Sequence, residues 1–218
     1  MMNFSVFKPI KLSFAAMMGL FTALSISACS VLPDPAPADT VYRLTTAPNS
    51  VASDVDAAVI RIDRPSAPIV FQNRDVVVSP DGQRLASASQ AKWSEITPIL
   101  VQNSFVEILS AREDLIGVLP SSGARTDTRV QLTIKNFEAQ FDQGSQSAPK
   151  AVVRYSATFA NASDRSLIGT YEITKMKRAN AASVSSIVEA ISAANREALS
   201  DISDWLAIES QKLNENQA

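Results

Sequence analysis

Cys29 is the only cysteine in a chain of 218 residues, and it closes the run Ile26-Ser27-Ala28-Cys29 directly behind an apolar N-terminal stretch. Lys8 and Lys11 form a positive start, and Leu12 to Ile26 is a 15-residue apolar run rich in Leu, Ala, Met and Phe. This is the layout of a secretory signal, too short and wrongly flanked for a spanning helix. A lone cysteine leaves no internal disulfide and no thiolate metal site. Whatever folds downstream must be held by burial, hydrogen bonds and charge alone.

Ser27 and Ala28, small residues ahead of Cys29, resemble with Ile26 the lipobox cut by the bacterial lipoprotein signal peptidase. The thiol would then carry a diacylglycerol and the freed amine of Cys29 a further acyl chain, with no other cofactor expected. Each buried methylene contributes about 0.8 kcal/mol and stable anchoring takes about two chains, so three make residence on the membrane permanent. Ser30 stands where an aspartate would favour the inner membrane. The expected location is the inner leaflet of the outer membrane, facing the periplasm. No second apolar run reaches about 18 residues, so the chain is expected to be tethered and not threaded.

Removing 28 of the 218 residues leaves a mature chain of 190, and with them go two of 20 basic and none of 22 acidic residues, for a mature charge of −4. An acidic balance argues against a nucleic-acid binder. The length suits one domain with a sizeable core. With no histidine in the chain, a His-containing triad, imidazole metal ligands and a histidine pH switch are excluded. Catalysis would have to run on Asp, Glu, Lys, Ser or Tyr, and a non-catalytic role is expected. The close carboxylate pairs Asp54/Asp56, Glu113/Asp114 and Asp201/Asp204 read as solvated faces and helix ends. Calcium would want more oxygens at tighter spacing with a turn glycine.

Leu32 to Thr40 (LPDPAPADT) favours extended polyproline II and serves as a tether of roughly 25 Å at about 3.1 Å per residue. Val41 to Leu44, Ala57 to Asp63 and Val70 to Ser79 read as strands. A turn follows at Pro80 to Gln83 around Gly82, then a short return through Leu85 to Ser87. From Ser89 to Ala111, Trp93, Ile96, Leu100, Phe105 and Leu109 fall roughly on one helical face. Pro98 fits a first turn capped by Thr97, or kinks a helix begun near Ser89; the spacing favours a start before Trp93. Leu115 to Leu119 is a short strand. Val130, Leu132 and Ile134 then alternate with polar neighbours, but the apolar side passes to Phe137, Ala139 and Phe141, which predicts a β-bulge near Asn136. Ala151 to Phe159 and Leu167 to Lys175 complete an antiparallel meander. A long helix begins at a Ser183 N-cap, with an apolar stripe from Val184 through Ile191, Ile202, Trp205 and Leu206 and a face of Ser, Asn, Arg and Asp opposite.

The expected organisation is a signal peptide over 1–28, an acylated N-terminus and tether over 29–40, a domain over 41–211 and a polar tail over 212–218. The expected fold is α+β: a single domain with a twisted, mainly antiparallel sheet and two long helices on one face.

The order of these parts resembles the ABC-type transport auxiliary lipoprotein family. The likeness spans about Thr40 to Leu206. Its sharpest pieces are Tyr42-Arg43-Leu44 and the run Lys92-Trp93-Ser94-Glu95-Ile96-Thr97-Pro98-Ile99-Leu100, similar to the family's Arg-Trp-Ala-x-Pro-Leu. Here Lys92 replaces the arginine, and two extra residues separate Trp93 from Pro98. The resemblance implies an adaptor in an intermembrane lipid-transport system. An inner-membrane ATPase and permease would work with a mammalian-cell-entry (MCE) domain protein that this lipoprotein docks to the outer membrane. Edge-strand addition is a plausible grip on that partner, and a homo-oligomeric ring would match its symmetry. An assembly lipoprotein serving a barrel or secretin is the alternative. Tyr42 and Trp93 read first as core aromatics, and with Leu44 and Trp205 they are also the candidate groove or partner residues; the basic cluster Lys175-Met176-Lys177-Arg178 reads as a solvated strand end, with contact to anionic headgroups as the alternative.

Overall fold

In the computed structural model, which describes residues 37–45 and 57–215, the domain runs from Ala38 onward. In order, its elements are β1 (Thr40–Tyr42), β2 (Ala58–Ile62), β3 (Asp75–Ser79), β4 (Ala86–Trp93) and α1 (Thr97–Ser110). Then come β5 (Leu115–Val118), β6 (Thr128–Gln140), β7 (Lys150–Asn161), β8 (Leu167–Arg178) and α2 (Val184–Glu215).

All eight strands join one mixed sheet. Its longest ladders are the antiparallel ones, β6 to β7 and β7 to β8. On the far side of β6, β2 and β3 run parallel to it in succession; β5 extends the sheet beyond β2, and β4 then β1 extend it beyond β3. The bulge lies where the parity slip puts it. Ile134 faces Tyr155 and Asn136 faces Arg154, leaving Lys135 as the extra residue. Leu132, Ile134, Phe137 and Ala139 thereby stay buried on one face.

Both helices cover that face. α2 packs on β7 and β8, and α1 packs on β5 and against α2. Ser183 caps α2 by accepting from the Ser186 N–H at 3.4 Å. Gly117 permits the close approach of β5 to α1, since a Cβ there would fall 2.9 Å from Leu109 Cδ1. Trp93, Tyr155, Phe71, Phe105, Phe137 and Phe159 are fully buried between the layers.

Three elements differ from the sequence reading. The segment before α1 is strand and not helix: β4 continues to Trp93, where β1 pairs with it from Thr40/Ala91 to Tyr42/Trp93 and Lys92 pairs with Asp75. Tertiary pairing overrides a weak helical spacing in an Ala/Ser-rich run. α1 starts only at Thr97, with Ile96 as an extended N-cap and Pro98 in the first turn; the Thr97 hydroxyl caps nothing. Second, Ile69–Phe71 is a 3-10 turn after Pro68, and β3 begins at Asp75, whose N–H is taken by Asn73 Oδ1 at 2.9 Å. Third, the return strand is longer than Leu85 to Ser87. It carries extra residues between Ser87 and Lys92 against Asp75 and Val77, and Gln90 turns there with φ of 54°. The hairpin turn is as expected: Gly82 has φ of 78°, and Asp81 Oδ1 accepts from Gln83 and Arg84.

Candidate partner interface

Clean alternation in Leu167 to Arg178 makes a long strand, and its position at the end of the meander leaves it a neighbour on one side only. Among the described residues β8 pairs with β7 alone. The register is unbroken from Phe159/Gly169 to Lys150/Arg178, with a single irregularity at Ile168. Every residue of β8 is partly or fully exposed, and Leu167 (64%) and Met176 (54%) are apolar side chains in water. An edge of this length offers a row of unpaired N–H and C=O groups to a partner strand.

Charge does not guard that edge. Lys175 reaches Asp201 at 2.7 Å and Lys177 reaches Glu197 at 2.6 Å, both on α2, while Arg178 reaches Asp142 at 2.5 Å. On the opposite face Arg154 pairs with Glu172 at 2.6 Å. The hydrogen bond from Arg178 holds the Asp142 carboxyl down to about 2, and the bond to Asp201 raises the Lys175 pKa. The basic cluster is thus neutralised within the chain and leaves no free positive patch for headgroups.

Trp205 fastens α2 over β8. It stacks on Tyr171, meets Phe159 edge-on and lies over Gly169. Trp93 is a core residue, packed edge-on against Phe137 at 5.9 Å, and touches no surface. Tyr42 sits beside Trp93 at the end of β1, and its carbonyl accepts from the Ser94 N–H at 2.7 Å. Leu44 lines a shallow hollow with Ser94, Leu100 and Ser104. The next residue crosses to α2, where the Thr45 N–H donates to Ser192 Oγ at 3.4 Å and Arg196 donates to the Thr45 carbonyl at 3.5 Å. The four candidates therefore form no single site. Ile26, Ser27, Ala28 and Cys29 lie outside the described residues, as do Asp54 and Asp56.

Of the other carboxylates, Asp114 is gripped by Arg112 at 2.8 and 2.9 Å, and Asp204 by the same guanidinium at 2.5 Å. Among the described residues no group of three His, Cys, Asp or Glu could hold a metal. No helix there is long and apolar enough to cross a membrane. A polar chain escaped the sequence reading: Tyr155 donates to Asn195 Oδ1 at 2.7 Å, and Asn195 Nδ2 donates to Ser104 Oγ at 3.3 Å. Burial pushes the Tyr155 hydroxyl well above its ordinary range. Asn195 lies four residues from Ile191 and three from Ala198, a spacing that marked it as inward.

The model of the family described as ABC-type transport auxiliary lipoprotein component matches residues 42–203. The chain belongs to that family. As a member it is a lipoprotein of the cell envelope, an auxiliary component of ABC-type transport whose partner is a transporter. Among solved structures it is similar to protein XCC0632 from Xanthomonas campestris, 18% identical, with a TM-score of 0.68 over 81% of this chain and 99% of that one. It is also similar to the crystal structure of an uncharacterized protein, 12% identical, with a TM-score of 0.63 over 78% of this chain and 99% of the other. At these identities the likeness is one of fold. No curated protein matches the chain.

Proposed function

We propose that this auxiliary component is a non-catalytic adaptor, held at the inner leaflet of the outer membrane by acyl chains on Cys29. It docks the MCE-domain protein of an ABC lipid transporter through the β8 edge. The observation that carries the reading is that edge: long, regular, exposed and neutralised, beside a face already covered by helices. Main-chain hydrogen bonds supply affinity there without a charged or catalytic constellation. Position is the mechanism. The anchor fixes one end of a transport path, and the sheet extends into the partner.

The test is capture of the acylated protein from envelopes in mild detergent, with co-purifying proteins identified by mass. Recovery of an MCE protein with its ATPase and permease supports the adaptor; recovery of a barrel or secretin alone overturns it. Cys29→Ser is expected to move the protein from the outer-membrane fraction to the soluble one.

A further inference from the structure

Ile69 is the most exposed large apolar side chain among the described residues, at 86%, yet the turn that carries it is firmly built. The Phe71 N–H donates to the Pro68 carbonyl at 2.9 Å, and the Gln72 N–H donates to the Ile69 carbonyl at 3.1 Å. Gln72 Nε2 closes the loop on the Ala67 carbonyl at 2.7 Å, and the Phe71 ring, 2% exposed, is anchored in the core. Ile69 is therefore held out in water on an ordered support. One exposed isoleucine is ordinary by itself. Its surroundings are not.

The segment from Arg64 to Arg74 carries an arginine at each end and no acidic residue. Both arginines are exposed, and neither has an ion pair among the described residues. Arg74 Nε donates to the Trp93 carbonyl at 2.7 Å, which steadies the side chain and leaves its terminal nitrogens without a partner. The flanking carboxylates are engaged elsewhere, Asp63 by Arg61 and Arg129, and Asp75 by Lys92. The lysines of β8, by contrast, are neutralised by α2. An apolar crest beside uncompensated positive charge is the combination that holds a peripheral element on an anionic bilayer.

The place of the loop in the sheet is a second, independent argument. In the run β1-β4-β3-β6-β7-β8 the terminal strands lie at opposite edges, about 24 Å apart at the usual strand spacing. The loop leaves the sheet on the β1 side of β6. Ser66 bridges Thr133, and the Arg74 carbonyl accepts from Trp93, the residue that pairs with Tyr42 of β1. Val41, 55% exposed, adds an apolar side chain to that edge. The chain from Cys29 to Ala38 spans at most about 32 Å, and it joins the domain at β1. An acyl anchor on Cys29 keeps this edge within reach of the bilayer, where even a weak contact is intramolecular and suffices.

We infer that the β2–β3 loop is a membrane contact. Ile69 enters the boundary between headgroups and acyl chains, Arg64 and Arg74 meet lipid phosphates, and β8 points away from the bilayer. The inference rests on the acylation of Cys29 proposed above and is independent of what β8 binds.

The test uses the full acylated chain in vesicles of phosphatidylethanolamine and phosphatidylglycerol. Acylation of Cys29 leaves no free thiol, so Ile69→Cys and, as reference, Met176→Cys each accept a single nitrobenzoxadiazole fluorophore. Both positions are exposed, and both variants are expected to fold. The probe at position 69 should shift to the blue and be quenched by lipids spin-labelled near the glycerol, while the probe at 176 stays aqueous. Arg64→Gln should lower the ratio of buried to aqueous probe at position 69 about fivefold. Without a probe, amide exchange from Ser66 to Gln72 should be slower on the vesicles than in neutral maltoside micelles for the wild type, and not for Ile69→Asp. The inference fails if the probe at 69 is as aqueous as the one at 176, or if exchange in Ile69→Asp slows as in the wild type. A chain that does not float with the vesicles overturns the anchor and this inference together; one that floats with an aqueous probe at 69 overturns this inference alone.

Discussion

The indole of Trp205 lies nearly flat on the ring of Tyr171, with centroids 5.5 Å apart and planes 14° from parallel. The same indole meets Phe159 edge-on at 6.1 Å, and a Cβ on Gly169 would fall 3.1 Å from its Cζ2. One side chain on α2 therefore clamps both β7 and β8, and β8 is the strand proposed to meet the partner. Trp205→Ala is expected to cost about 3 kcal/mol in a urea titration. Amide exchange should accelerate more along β8 than along β6. Unchanged exchange on β8 would show that the stack does not hold the edge.

Tyr155 and Asn195 make the second test. Tyr155→Phe removes the donor to Asn195 Oδ1 and leaves that oxygen buried, a loss of about 1–3 kcal/mol. Asn195→Ala combined with it should cost less than the sum of the two single changes, because both remove the same bond. Strict additivity in denaturant midpoints would mean that the two residues are not coupled.

Deletion of Lys135 addresses the bulge. Without the extra residue, Ile134/Tyr155 and Asn136/Arg154 become consecutive pairs, and Leu132, Ile134, Phe137 and Ala139 alternate regularly on the buried face with the register to β7 unchanged. The shortened chain is expected to keep cooperative unfolding, read by near-ultraviolet circular dichroism during heating. Loss of cooperative melting would contradict this assignment.

Acid sensitivity has a stated direction. Asp142 is held at about 2 against an ordinary 3.8 through its bond from Arg178, so this pairing contributes above about pH 4 and is lost as pH falls towards 2. Asp75 under Lys92 and Asp114 under Arg112 are lowered in the same sense. With no histidine, stability should be flat between about pH 5 and 8. Arg178→Gln should return the Asp142 carboxyl towards 3.8 in a carbon NMR titration and shrink the acid-induced fall. A steep change near neutrality would contradict the account.

The meander, its bulge and α2 were legible because long periodic segments bury one face, and that periodicity is written residue by residue from Val130 to Leu206. The region from Val70 to Trp93 was not. β3 is short and β4 is Ala- and Ser-rich, and the end of β4 is stabilised by distant partners: β1 on one side, and Arg74, whose carbonyl accepts from the Trp93 N–H at 2.6 Å, on the other. Local spacing carries none of that. Parallel pairing of β2 and β3 along β6 was equally hidden, because it depends on which separate segments share a neighbour. For the interface, sequence identified the basic cluster but not the α2 carboxylates that neutralise it, since Asp201 and Glu197 meet Lys175 and Lys177 only once the helix lies on the strand.

The central claim is that β8 docks the transporter through its free edge, and proline substitution tests it most directly. Alternate backbone N–H groups of a strand point to opposite sides, so of Thr174→Pro and Lys175→Pro one breaks the ladder to β7 and the other removes an outward donor. The outward one should fold and melt as the wild type does. In a detergent capture from envelopes, the account predicts that this folded variant loses the MCE protein while remaining in the outer-membrane fraction. Capture of the MCE protein at wild-type yield by the folded proline variant would contradict it.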